Sequence, residues 1–372
     1  MTEPRVRVAV IFGGMSPEHD VSCLTASGVV RAIDQSRFEV VGIGITPEGR
    51  WVQVATDEIA AMQVRAGVLP RLEQERPAAV LIPHAGGTAV ATIHENGFLD
   101  RRPIDVAFSL LHGPYGEDGT IQGLFEMHQI KYVGAGVAAS AIGMDKHLMK
   151  TALTGAGFQT SPWELVEVAE WWAVRDQVTR RVEANLTFPV FVKPARGGSS
   201  VGISRVGVAA ELAAAIDKAM AWDPKVIVEA GFTGAREIEV AVLDTPDHGQ
   251  PRTSAAGEIR VHDPGSFYDY AAKYTPEDQV SLDIPAAISP ALLARIQRMA
   301  AQAFRALGLE GLARVDTFVT ADEEVIINEV NTMPGFTQLS MYPLLWEASG
   351  LSYPDLLAEL IDLALARPIG LR

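Results

Sequence analysis

Residues 312–331 read "LARVDTFVTADEEVIINEVN", two strand-like runs on either side of an acidic turn. With the turn centred between Asp322 and Glu323, an antiparallel hairpin sets Asp316 directly opposite Glu329 and Arg314 opposite Asn331. Side chains alternate along a strand, so all four project from one face. Two carboxylates facing each other across a ladder repel. A divalent cation removes that cost. Two carboxylates with an amide oxygen form a hard, all-oxygen donor set of the kind that suits Mg²⁺. Arg314 beside them could hold a phosphate or carboxylate through two parallel hydrogen bonds. Scattered charges on an exposed strand face are the plainer explanation, but four polar groups on one face between apolar strands weigh against it.

A second candidate is "VKPARGGSSVG", residues 192–202. Its lysine precedes the glycines, the reverse of a Walker loop, in which the lysine follows them and opens a helix. Lys193 and Phe191 share one face of a strand, and residues 197–200 could fold over a ligand with backbone N–H groups pointing inward. Alone, the segment reads equally well as an ordinary glycine turn. Lys146 in "GMDKHLMK" opens a helix and could add a second cation, although alone it reads as a solvated helix-end lysine. Two more glycine-rich loops follow strands. "FGGMSPEHDVS" carries Glu18 and Asp20 near a helix start, where carboxylates also complement the helix dipole. "LHGPYGEDGTIQG" places His112 at a strand's carboxyl end, where open α/β sheets bind ligands, though a lone histidine there is more often structural.

These loops need elements to hold them. Residues 6–12, 38–45 and 106–111 are valine- and isoleucine-rich runs alternating with a helical pattern at 21–33, which predicts a parallel α/β sheet. Residues 46–102 read as a strand-poor excursion with a small hairpin around Trp51, "HAGGTAV" being its loosest part. Strands are expected at 189–193, 226–229 and 237–243, and helices at 148–157, 209–221, 290–307 and 353–366. Breaks near 143–146 and 231–234 divide the chain into units 1–145, 146–234 and 235–372.

Composition narrows the partners. The 372 residues carry a net charge of −15 with no lysine- or arginine-rich run, which argues against a nucleic-acid or anionic-membrane surface. A bound polyanion must then be met by locally placed cations. The single cysteine, Cys23, excludes an intramolecular disulfide and any cysteine-based metal cluster. No run approaches the ~20 apolar residues of a membrane helix, and the opening has no signal-peptide core. A cytoplasmic protein is expected.

Seven segments in order, "GGMSPEHDVS", "LHGPYGEDGTIQG", "GMDK", "VKPARGGSSVG", "GSFYDYAAKY", "GLARVD" and "NEVNTMPGFT", resemble the motifs of ATP-grasp ligases, and among them the D-alanine–D-alanine ligase family. Together they run through residues 13–341, nearly the whole chain. The resemblance implies an α/β protein, α+β in its later domains: an ATP-grasp fold behind an N-terminal Rossmann-like domain. It implies ATP, two D-alanines and two Mg²⁺ ions, with Mn²⁺ able to substitute and a monovalent cation such as K⁺ an optional addition. Lys146 and Lys193 would meet the ATP phosphates under a flap of Gly198, Ser199 and Ser200. Glu229 would bind the adenine amine and Glu237 the ribose, with Asn328 also on the nucleotide side. Asp316, Glu329 and Asn331 would hold the metal ions. Arg314 and the Gly335 N–H would stabilise an oxyanion. Glu18 would bind the first alanine's ammonium with His112 nearby, and Ser340 and Met341 the second alanine's carboxylate. Ser199, Tyr274 and Glu18 would form a trio closing a mobile loop, and the presence of Tyr274 favours a dipeptide over a D-lactate ester. A homodimer and a bacterial cytosolic role in peptidoglycan precursor synthesis are also implied. The competing readings are an ester-forming or other D-amino-acid ligase, a catalytically dead nucleotide-binding protein, and a small-molecule kinase. The last would not need Gly335 and Ser340.

Overall fold

The computed structural model describes residues 4–73, 75–94, 97, 99–247, 249–261 and 280–370. In the first sheet, β1 (Val6–Gly13) runs parallel to β2 (Phe38–Ile45) and is joined to it through α1 (His19–Ala32). Both strands are largely buried, which is why they read as continuous apolar runs instead of alternating ones. The chain continues through β3 (Trp51–Gln53), α2 (Thr56–Ala60), β4 (Ala78–His84), β5 (Gly87–Ile93) and β6 (Leu99–Ile104), then returns to β1 as β7 (Val106–Ser109). α3 (Thr120–Met127), β8 (Lys131–Tyr132) and α4 (Val137–Met144) complete the unit. The strand order is β6-β5-β4-β3-β2-β1-β7-β8. The winding reverses at β1, so the carboxyl ends of β1 and β7 flank the crevice where such sheets take ligands.

The expectation of a strand-poor excursion over 46–102 is corrected: four antiparallel strands there widen the sheet. β3 has three residues, β4 lacks a clean alternation of buried and exposed positions, and β5 is buried through its middle. The loose "HAGGTAV" is a tight hairpin, with His84 paired to Gly87 around Ala85 and Gly86. Gly86 takes a φ of +89°, a conformation glycine adopts without steric cost.

The second sheet follows α5 (Lys146–Gly155) and comprises β9 (Trp163–Glu167), β10 (Val190–Pro194), β11 (Ser204–Val206) and β12 (Lys225–Ala230), in the order β11-β10-β12-β9. α6 (Val168–Asn185) and α7 (Leu212–Met220) cover it. Asp145 caps α5, accepting the N–H groups of His147 and Leu148 at 3.0 Å each. α6 was not expected from the sequence. Its apolar stripe is thin (Trp171, Val178 and Val182) and diluted by charged residues.

The third sheet holds β13 (Arg236–Leu243), β14 (Arg252–Val261), β15 (Val280–Asp283), β16 (Leu312–Val319) and β17 (Val325–Asn331), in the order β15-β14-β13-β16-β17. α8 (Pro290–Ala306) starts with a Ser289 cap and Pro290, and packs Leu292, Ile296, Ala300 and Phe304 against the sheet. After α9 (Met341–Ala348), the final helix α10 (Tyr353–Ala366) leaves this sheet. Its Leu356, Leu357, Leu360 and Ile361 join the core of the first sheet, with Val8, Val10 and Phe108. "GSFYDYAAKY", with Tyr274, lies outside the described residues. Among the described residues no helix is long and apolar enough to cross a membrane.

Candidate active site

β16 and β17 pair Arg314 with Asn331 and Asp316 with Glu329, as expected, but by a different route. Nearer the turn, Thr317 faces Ile327 and Val319 faces Val325, a register centred on Asp322. The pairing then skips Asn328. This bulge shifts the register by one residue and brings Glu329 opposite Asp316. Arg314 forks onto Asp316, Nε to Oδ1 and Nη2 to Oδ2, both at 2.7 Å. Asn331 Nδ2 donates to Asp316 Oδ2 at 2.9 Å, and Arg314 Nε also lies 2.9 Å from Glu239 Oε2 on β13. Burial opposes the charge of Arg314, but Asp316 and Glu239 outweigh it and keep the guanidinium protonated.

Two carboxylates and an amide on one face fit a hard divalent cation. No group of three or more His, Cys, Asp or Glu side chains that could hold a metal ion occurs among the described residues. Asp316, Glu329 and Asn331 would leave most positions of a Mg²⁺ ion to phosphate oxygens and water.

Two lysines, one on β10 and one on α5, meet at Glu229 of β12. Lys193 Nζ lies 2.6 Å from Glu229 Oε2, and Lys150 Nζ lies 3.1 Å from Glu229 Oε1. Lys150 is fully buried and also donates to Ser161 Oγ at 2.7 Å. Burial pushes the Glu229 carboxyl up, but the two ammonium groups outweigh it and hold it at about 2. The carboxylate of Glu229 is thus engaged by two lysines. Glu237, two residues before Glu239 on the same face of β13, adds its charge near Lys193.

Lys146, expected at the phosphates, instead donates from Nζ to the Gly197 carbonyl at 2.7 Å and ties the flap to α5. It is the first residue of that helix, whereas Lys150 lies one turn on, on the buried face with Met149 and Leu153. Sequence reasoning passed over Lys150. A lysine on the apolar face of an amphipathic helix is itself a signal, since lysine is almost never fully buried unless paired.

At the first crevice, Glu18 is buried and accepts a hydrogen bond from Ser199 Oγ, so the flap rests on the first loop. A Cβ on Gly198 would stand 2.6 Å from Glu18 Oε2, so a side chain there would displace the end of that carboxylate. Ser199 and Ser200 have φ of +48° and +59°. Two members of the expected trio are thus in contact. Buried His112 has Nδ1 3.3 Å from the Met333 carbonyl and Nε2 3.3 Å from Thr25 Oγ1. Its own carbonyl accepts from Ser16 Oγ at 2.8 Å. Glu117, also missed from sequence, accepts the N–H groups of Gly113 at 2.8 Å and Met333 at 3.2 Å. Burial, with Glu18 nearby, pushes its carboxyl up to about 8. These contacts stitch the loops after β1, β7 and β17 together.

Gly335 faces Ser340: a Cβ there would lie 3.1 Å from Ser340 Oγ, which accepts the Thr337 N–H at 3.0 Å. The side chain of Met341 is buried in the core, so its backbone N–H at the start of α9 is the group suited to a carboxylate.

A Rossmann-like sheet followed by two antiparallel sheets, with lysines on one and an acidic hairpin on the other, defines an ATP-grasp protein. Residues 7–135 match the family model "D-ala D-ala ligase N-terminus" and residues 152–362 match "D-ala D-ala ligase C-terminus". The D-alanine–D-alanine ligase of Paenarthrobacter aurescens is 49% identical over 371 residues, covering 99% of this chain and 97% of that one. The Mycobacterium leprae ligase of the same name is 46% identical over 384 residues, covering 99% and 96%. Among solved structures, the D-alanine–D-alanine ligase from Coxiella burnetii has a TM-score of 0.82 at 31% identity, with 97% and 94% of the chains covered. The VanG D-Ala:D-Ser ligase from Enterococcus faecalis has a TM-score of 0.81 at 34% identity, covering 97% and 100%. The chain belongs to the D-alanine–D-alanine ligase family.

Proposed function

We propose that this chain uses ATP to join two molecules of D-alanine into D-alanyl-D-alanine. A carboxylate oxygen of the first D-alanine attacks the γ-phosphorus, giving D-alanyl phosphate and ADP. The amine of the second attacks the acyl carbon, loses a proton, and phosphate departs. The observation that carries this reading is the convergence of three charged groupings on one cleft. Lys150 and Lys193 meet on Glu229, Arg314 and Asn331 meet on Asp316 opposite Glu329, and Ser199 of the flap rests on Glu18.

Such a transfer needs positioning and charge neutralisation more than covalent help. Lys150 and Lys193, sharing one carboxylate, leave positive charge to meet the phosphates. Bound Mg²⁺, for which Mn²⁺ can stand in, neutralises charge on the transferring phosphoryl group; Asp316, Glu329 and Asn331 would hold it. Arg314 and the Gly335 N–H stabilise the oxyanion of the second step. Glu18 takes the first alanine's ammonium beside His112, while Ser340 and the Met341 N–H take the second carboxylate. Ser199 closes the flap on Glu18, keeping water from the acyl phosphate. Three units, 1–145, 146–234 and 235–372, build this cleft, with α10 returning to the first. A cytoplasmic homodimer supplying peptidoglycan precursors completes the proposal.

The test is phosphate release with ATP, Mg²⁺ and single D- and L-amino acids or D-lactate. D-alanine alone should sustain turnover. A requirement for D-serine as acceptor would move the chain toward the activity named for the VanG protein, which is similar in fold. Release independent of any amino acid would overturn the ligase reading.

A further inference from the structure

Glu239 lies directly across the β13–β16 ladder from Asp316, which faces Glu329 on its other side. Three carboxylates therefore stand side by side across three strands. Such a row is repulsive without cations among it. Glu239 is 4% exposed, and its Oε2 is 2.9 Å from Arg314 Nε. The same Nε is 2.7 Å from Asp316 Oδ1. An arginine Nε carries a single hydrogen, so Glu239 and Asp316 compete for it, and here Asp316 holds it.

Asp316 is also a residue whose oxygens a divalent cation would need. A cation on the same carboxylate as the Arg314 fork would sit close to the guanidinium and be repelled by it, so metal binding favours loosening that fork. A buried guanidinium left without a partner is strongly unfavourable. We propose that Glu239 is the positioning residue of Arg314. It takes over the guanidinium when Asp316 turns to the cation, and so keeps Arg314 in the cleft for the reacting carbonyl. The proposal rests on Asp316 being a metal ligand, as argued above.

A double-mutant cycle on Mn²⁺ binding, read by the free-ion EPR signal with ADP present, tests this without turnover. In Glu239→Gln, Arg314 has Asp316 alone and competes with the cation, so Mn²⁺ should bind about tenfold more weakly. In the Arg314→Gln background the competitor is gone, and adding Glu239→Gln should change affinity by less than about threefold. An equal loss in both backgrounds would mark a through-space charge effect and overturn the hand-over. A wild-type chain that retains no Mn²⁺ with ADP would remove Asp316 as a metal ligand, and both readings would fall. Glu239→Gln should also lower kcat with the KM for ATP little changed, a split that a general folding defect would not give.

Discussion

Two lysines one helical turn apart stand in contrasting surroundings, and the proposed function assigns the nucleotide to Lys150. Lys150 is fully buried against Glu229 and next to Lys193, while Lys146 is spent on a flap carbonyl. Lys150→Met should therefore raise the KM for ATP by about 10- to 100-fold, the loss expected for a charge-assisted contact. Lys146→Met should change that KM by less than about fivefold, acting through flap position alone. Steady-state kinetics with ATP varied checks both, and equal effects would dissolve the distinction. Sequence made the Asp316–Glu329 pair legible because alternation and a turn suffice to oppose two residues. It could not show that a register one residue off near the turn is compensated by a bulge at Asn328. Glu117 stayed hidden because its importance lies in backbone N–H partners more than 200 residues apart, at Gly113 and Met333.

At the scale of elements, the loop carrying Glu18 is braced from an unexpected side. His19 Nδ1 is 2.7 Å from the Gly14 carbonyl, and its Nε2 accepts the Leu72 N–H at 3.2 Å. A carbonyl can only accept and an N–H only donate, so the ring is neutral, with its proton on Nδ1. Burial lowers the pKa of His19 below its ordinary 6.5, and Arg71 acts in the same direction against Gly14, Asp20 and Glu48. The sign is that of a depressed group. Its contribution to stability is present above pH 6.5 and is lost as pH falls towards the lower folded value. His19→Gln should cost about 1–2 kcal/mol at pH 8, and the gap from wild type should narrow towards pH 5. Urea melts at the two values check this, and a gap that widens on acidification would refute it. Leu72 belongs to the excursion over 46–102, the part of the fold least legible in the sequence. Its strands follow no common pattern, from the irregular β4 to the continuously buried middle of β5, so no strong period-two signal marks them.

For the whole molecule, the chain's end reinforces its beginning. Leu360 is 1% exposed in the core that β1 and β7 share with α10. Leu360→Ala should destabilise the protein by about 2–5 kcal/mol, although the side chain carries none of the site's charge. Thermal unfolding with kinetics at a permissive temperature should show lower stability and a near-normal kcat. The sequence revealed the helix over 353–366 but not its destination, because an amphipathic face does not say which sheet covers it. The net charge of −15 acts at this scale too. The cleft binds a polyanion against the field of the whole chain by grouping Lys150, Lys193 and Arg314, so higher salt should weaken ATP binding less than a basic surface site would allow.

The central claim, ligation through an acyl phosphate, is tested most directly by isotope transfer. D-alanine carrying ¹⁸O in both carboxylate oxygens is turned over with unlabelled ATP and Mg²⁺, and phosphate and dipeptide are weighed by mass spectrometry. The account predicts one ¹⁸O in every phosphate released and one D-alanyl-D-alanine for every ADP. Unlabelled phosphate, or ADP formed without dipeptide, would contradict it.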